Sequence, residues 1–213
     1  MSKGTTVYLT RHGETEWNLE HRMQGHRDSA LTPLGISQAE WLAKGLSGVD
    51  IDAVYSSPSS RAMRTAEIIC GGRPLSVNTA PEFMEMGLGC WEGRISLELE
   101  REYPEQYQAF WNNPAAFGVE GSETFADVLR RSLSKLETIV AAHPGQTVLV
   151  VTHTVVIKCL MAHFEERPLE RLWDLPYIYP TCLSRVDFGG EKPFIGLHAD
   201  TSHYPADMAE KEG

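Results

Sequence analysis

The sequence is short of positive charge. Its 19 Lys and Arg face 29 Asp and Glu, a formal net charge of -10. That balance excludes nucleic acid or an anionic membrane surface as the main partner, because both require a basic face. Any site for an anionic ligand has to be a local positive island. Long apolar runs are also missing: nothing approaches the ~20 residues that a membrane span needs. No apolar stretch follows Met1-Ser2-Lys3-Gly4, so no secretory signal is expected. The four cysteines, Cys70, Cys90, Cys159 and Cys182, have no paired spacing, which is the usage of reduced thiols in a cytoplasmic protein. There is no His-x-x-x-His helix pair and no Cys/His cluster with ligand spacing, so neither a metal nor another cofactor is implied. Internal repeats and low-complexity segments are absent as well.

What remains is ample for a core. With 42% hydrophobic residues in 213, the chain reads most simply as one domain, with a monomer or homodimer expected. Thr5 to Thr10 is a β-branched and aromatic run that stops at Arg11-His12-Gly13, a buried strand and the turn leaving its carboxyl end. Thr32-Pro33 marks a helix start, threonine as N-cap and proline at the first helical position. Ala53 to Ser56 is a second strand, and Ser57-Pro58 is expected to open a helix running to Gly71-Gly72. Leu75-Ser76-Val77 reads as a weak third strand and Glu82 to Gly93 as an irregular loop. From Ser96 to Phe117 a helical pattern is broken by Pro104 and Pro114 and carries Tyr103, Tyr107, Phe110, Trp111 and Phe117. Ser122 is expected to cap a long amphipathic helix that ends at His143-Pro144-Gly145. Thr147 to Thr152 is apolar enough for a sheet centre covered on both faces. It runs into His153-Thr154 and another helix. Cys182 to Phe188 and Phe194 to His198 flank Gly189-Gly190 as a hairpin, and the tail at about 205–213 is expected to fray. The alternation predicts a three-layer α/β architecture. Its sheet is doubly wound and mostly parallel, with helices on both faces and a late antiparallel addition.

The two best strands each end in Thr and His, as Thr10-Arg11-His12 and Thr152-His153. If both strands are parallel and central, both imidazoles emerge at one edge of the sheet, where open α/β sheets bind ligands. Arg11 lies beside one of them, and Arg61 and Arg64 follow in the next helix. Cations beside histidines suggest a phosphate, which arginine holds bidentately.

These segments carry a family likeness. Leu9-Thr10-Arg11-His12-Gly13-Glu14-Thr15-Glu16-Trp17-Asn18 resembles the signature of the histidine phosphatase superfamily, the phosphoglycerate mutase-like proteins. Asp28 to Gly35, Tyr55 to Ala66, Glu85-Met86-Gly87-Leu88-Gly89-Cys90-Trp91-Glu92-Gly93 and Val151-Thr152-His153 resemble its later motifs in the same order. The likeness runs from about Val7 to His203. Trp173 to Thr181 and Asp200 to His203 liken it further to the broad-specificity phosphatases of thermophilic bacilli. The resemblance implies the phosphoglycerate mutase-like fold on a single phosphatase domain, and the aromatic segment at about 94–120 reads either as a helical cap over the site or as plain core.

It also implies roles. His12 is expected as the nucleophile, its other ring nitrogen tied to a backbone acceptor that Gly13 allows to come close. Arg11, Arg61 and His153 are expected around the phosphoryl oxygens, His153 as a cation. Asn18, Gln24, Gly25 and the Thr154 N–H are expected as further substrate contacts. Glu85 is expected as general acid and then base, and Arg64 and Glu14 outside the chemistry. Thr154 stands where relatives usually have glycine, which narrows the pocket.

Phosphoglycerate mutases of the family carry a longer basic insert after the acidic residue. Between Glu85 and Ser96 this chain has only Arg94, which disfavours mutase chemistry. The expected activity is therefore metal-independent hydrolysis of small phosphomonoesters, with aromatic leaving groups favoured by the cap. α-Ribazole phosphatase, whose acidic loop is similar, is the narrower alternative. A catalytically dead binding domain would have lost His12, Glu85 or an arginine, and all are present.

Overall fold

The computed structural model describes residues 4–209. The segment before Gly4, on which the absence of a signal was read, lies outside these residues. Six strands form one sheet in the order β3-β2-β4-β1-β5-β6. They are β1 (Thr5–Arg11), β2 (Ala53–Ser56), β3 (Val77–Thr79), β4 (Thr147–Thr152), β5 (Leu183–Phe188) and β6 (Phe194–Asp200). The first four run parallel, β5 is antiparallel to β1, and β6 is antiparallel to β5. This is the mixed α/β sheet that the strand and helix alternation predicts.

The central strands are apolar throughout because both their faces are covered. Val148 and Val150 pack into one core, with helices α6 (Phe125–Ala142) and α7 (Thr154–Phe164). Leu149 and Val151 point the other way, into a second core with α2 (Pro33–Gly45) and α3 (Ser60–Cys70). Successive side chains of a strand point to opposite faces, so one run of valine and leucine supplies both layers. The remaining helices are α1 (Glu16–Leu19), α4 (Ser96–Glu102), α5 (Pro104–Asn112) and α8 (Ala206–Ala209).

Two helix starts differ from expectation. The helix placed after Ser57-Pro58 begins at Ser60, with Ser59 as N-cap, because the Ser57 hydroxyl is engaged elsewhere. The long helix is capped by Thr124, not Ser122: Asp127 at the third position returns a bond to the Thr124 backbone and closes a capping box. Ser122 instead donates to the Val119 carbonyl at 3.0 Å. The first residues of the expected tail form a short helix. Proline pre-sets a helical φ, Met208 N–H donates to the Pro205 carbonyl at 2.9 Å, and α8 follows. Residues 210–213 of that tail lie outside the described ones.

Candidate active site

Because β1, β2 and β4 are parallel, their carboxyl ends share one edge, and the backbone pairing continues beyond them. His12 N–H donates to the Thr152 carbonyl, and Ser57 N–H to the Val151 carbonyl, each at 3.0 Å. The ladder thus fixes His12 beside His153, with ring centroids 5.2 Å apart. The two Thr-His strand ends meet as the sequence suggests.

His12 is buried, and its Nδ1 lies 2.7 Å from the Gly13 carbonyl. A carbonyl only accepts, so Nδ1 carries the proton and Nε2 keeps its lone pair. Gly13 is required there: a Cβ would lie 2.3 Å from the Gly35 carbonyl oxygen. Its N–H donates to Thr65 Oγ1 at 3.1 Å, which ties the turn to α3. Burial, then the charges of Arg61 and Arg11, hold the His12 pKa well below the ordinary imidazole value, so the ring is neutral.

Arg61 is fully enclosed. Nη1 donates to the Arg27 carbonyl at 2.7 Å and to Asp28 Oδ1 at 2.9 Å, and Nη2 to the Gly25 carbonyl at 3.0 Å and to His153 Nδ1 at 3.2 Å. Arg11 Nη1 donates to the Ile178 carbonyl at 2.9 Å. The Nε atoms of both arginines are buried with no partner among the described residues. Donors left open on buried guanidiniums are what an oxyanion completes. The positive island required of an acidic chain is therefore here.

His153 differs from expectation. Its Nδ1 accepts from Arg61, so the proton sits on Nε2, which faces Ser57 Oγ at 2.8 Å and Ser59 Oγ at 3.3 Å. Burial first, then Arg61, His12 and Arg11, depress its pKa well below the ordinary value. It is a neutral donor rather than a cation, because two guanidiniums already occupy the same buried space. At the start of α3, the Ser60 N–H donates to Asp28 Oδ2.

Glu85 lines the same cavity. Its Oε1 accepts from Met86 N–H at 2.9 Å, and its Oε2 from Val155 N–H at 3.4 Å. Burial raises its pKa against the opposing pull of these bonds and of Arg61 and Arg11. A carboxyl whose pKa burial raises, beside an imidazole with a free lone pair and two guanidiniums, is suited to donate a proton to a leaving group.

Asn18, Gln24, Gly25 and Thr154 all line the cavity, but their polar atoms are partly committed to the protein. Asn18 Oδ1 accepts from Thr15 N–H at 3.0 Å, and Gln24 Nε2 donates to Thr15 Oγ1 at 2.9 Å. Gly25 gives its carbonyl to Arg61 and sits at φ 55°, where a Cβ would meet Glu92 Oε1 at 2.3 Å. Thr154 opens α7, whose first-turn N–H groups have no helical partner. Arg64 stands outside, exposed and paired with Glu67. Sequence reasoning missed Asp28, Ser57 and the Ile178 carbonyl as partners of the three cationic or imidazole side chains. In the sequence Asp28 stands out only as part of a motif, and no local pattern marks a carbonyl for an arginine 167 residues away.

The cavity is about 570 Å³, in the size range of small-molecule sites. One wall is aromatic, formed by Phe110, Trp111, Trp173, Tyr177 and Tyr179. Only part of the expected cap faces it. Tyr103, Tyr107 and Phe117 pack around the buried Trp91 instead. Among the described residues, no three His, Cys, Asp or Glu side chains could hold a metal ion, and no helix is long and apolar enough to cross a membrane.

The profile of the histidine phosphatase superfamily (branch 1) matches residues 7–201. The solved structure of Bacillus stearothermophilus YhfR superposes with a TM-score of 0.91 at 43% identity, covering 93% of this chain and 98% of that one. Phosphoserine phosphatase 1 of Hydrogenobacter thermophilus is 34% identical over 78% of this chain and 79% of its own length. The adenosylcobalamin/alpha-ribazole phosphatase of Escherichia coli is 34% identical over 85% and 89%.

Proposed function

Since the chain belongs to the histidine phosphatase superfamily and is a phosphatase, we propose that it hydrolyses small phosphomonoesters through a phosphohistidine formed on Nε2 of His12, without a metal. The observation that carries this reading is the 2.7 Å bond from His12 Nδ1 to the Gly13 carbonyl. It points the free lone pair away from the backbone, in a cavity that also holds two incompletely bonded guanidiniums and the Glu85 carboxyl, whose pKa burial raises.

The first step is an in-line displacement. Nε2 attacks phosphorus, the P–O bond to the leaving group breaks, and Glu85 delivers its proton to that oxygen. In the second step the ionised Glu85 takes a proton from water, which attacks the phosphohistidine and releases phosphate. Splitting one displacement into two is the gain of a covalent intermediate. Arg11 and Arg61 hold the equatorial oxygens, where transition-state charge gathers, and His153, bonded to Arg61 through Nδ1 and to Ser57 through Nε2, steadies Arg61 beside them. The aromatic wall favours leaving groups with apolar or aromatic bodies. Phosphoserine and α-ribazole phosphate, the substrates in the relatives' names, belong in the same test panel.

The experiment is rapid quench with a 32P-labelled phosphomonoester. An acid-labile, alkali-stable label on the wild type, absent from His12→Ala, is expected, together with p-nitrophenyl phosphate turnover that survives EDTA. A fully active His12→Ala enzyme, or full loss in EDTA, would overturn the reading.

A further inference from the structure

The loop that bears Glu85 is gripped from behind by two side chains that do not line the catalytic cavity. Arg131 lies two turns into α6. Its Nη1 donates to the carbonyls of Glu82 and Met84, each at 2.7 Å, and its Nη2 to the Glu85 carbonyl at 3.0 Å. Nε and Nη2 also donate to the two carboxylate oxygens of Glu123, each at 2.8 Å. Those bonds use all five N–H donors of the guanidinium. Glu123 in turn accepts from Gly87 N–H at 2.8 Å. The pair therefore holds the loop backbone at residues 82, 84, 85 and 87, on both sides of the carboxyl that faces the cavity.

An ion pair that served stability alone would have no need of three carbonyls from one four-residue stretch of loop. Burial works against ionising Glu123, yet the His26 imidazole 3.7 Å away and the bonds from Arg131 keep its pKa down at about 2. The clamp is thus charged at any ordinary assay pH. Lysine, with three donors and no planar fork, cannot reproduce it.

We propose that Arg131, locked by Glu123, is a positioning residue for proton transfer. By fixing the backbone of residues 82–87, it sets where the Glu85 carboxyl stands relative to His12. The proposal rests on the reading of Glu85 as the general acid.

The test is a double-mutant cycle of Glu85→Gln with Arg131→Met, with Arg131→Lys and Glu123→Gln as variants that keep more of the fold. The readout is kcat/KM for an alkyl phosphate, whose leaving group needs a proton, and for p-nitrophenyl phosphate, whose leaving group hardly does. Arg131→Met and Arg131→Lys are expected to lose up to about 10²-fold on the alkyl ester, the cost of a displaced catalytic group, and far less on the aryl ester. In the Glu85→Gln background, Arg131→Met should add almost nothing, as for groups that act as one unit. If Arg131→Met does not fold, Glu123→Gln takes its place in the cycle with the same expectation. Equal losses on both esters, or losses that add to those of Glu85→Gln, would overturn the positioning role alone. If Glu85→Gln by itself leaves the alkyl ester unaffected, the acid reading falls and the inference with it.

Discussion

At His12, the bond from Nδ1 to the Gly13 carbonyl assigns the ring proton, and burial with two guanidiniums keeps the ring neutral far into acid. Glu85 is shifted the opposite way, burial holding its proton above the usual carboxylate range. The two shifts set the pH dependence of the first chemical step, which needs neutral His12 and protonated Glu85. After allowing for the ester's own second ionisation, kcat/KM for an alkyl phosphate should show no loss as pH falls below ~6.5, where an ordinary histidine would protonate. It should decline as pH rises through the raised value of Glu85. Glu85→Gln should abolish that decline and cost ~10²–10⁴-fold in rate on the same ester. A wild-type profile that climbs steadily toward alkali would contradict both assignments. The neutral state of His153 could not be read from the sequence, because it depends on the Arg61 donor reaching Nδ1 across 92 residues.

Among the elements, α5 separates two kinds of aromatic residue that look alike in the sequence. Both reach the cavity wall, but Phe110 is 2% exposed and packs on Trp91, Phe117 and Phe125, whereas Trp111, next to it, is 37% exposed. Phe110→Ala should therefore destabilise the fold by about 3–5 kcal/mol, read as a drop in the denaturant midpoint. Trp111→Ala should leave that midpoint nearly unchanged and raise KM for aryl phosphates more than for sugar phosphates. Equal effects on both substrate classes would remove Trp111 from the substrate wall. Helices and strands were legible where apolar spacing was regular, as in Thr147 to Thr152. The helix starts were less so, because Ser57, Ser59, Ser122 and Thr124 are all competent caps. Local pattern does not say that Ser57 faces His153 or that Asp127 completes a box for Thr124. The site was legible at His12, His153, Arg61 and Glu85 through their motifs. The Arg131 clamp was not, since its partners are backbone carbonyls that carry no side-chain signature.

Across the whole molecule, buried histidines set the acid limit of stability. His12 and His153 are depressed chiefly by burial, and His198 and His203 shift in the same direction for the same reason. Below ~6.5 the unfolded chain takes up protons at these rings that the folded chain refuses, so stability falls as pH falls. His26, raised by Glu123, opposes the trend, and Glu123, held at about 2, keeps its own pairing to far lower pH. The Tm should therefore be lower at pH 5 than at pH 7, and a His12→Asn, His153→Asn double variant should show a smaller drop. A Tm that is flat or rises toward pH 5 would count against this. The same sheet also has a history in time. β1 pairs with β4 and β5 alone, Thr6 lying opposite Thr147 and Asp187. The strand made first thus gains its neighbours only about 140 residues later, on the order of ten seconds at ribosomal speed. During that interval Val7 and Leu9, wholly buried in the finished protein, lie on a strand whose two partners have not yet been made.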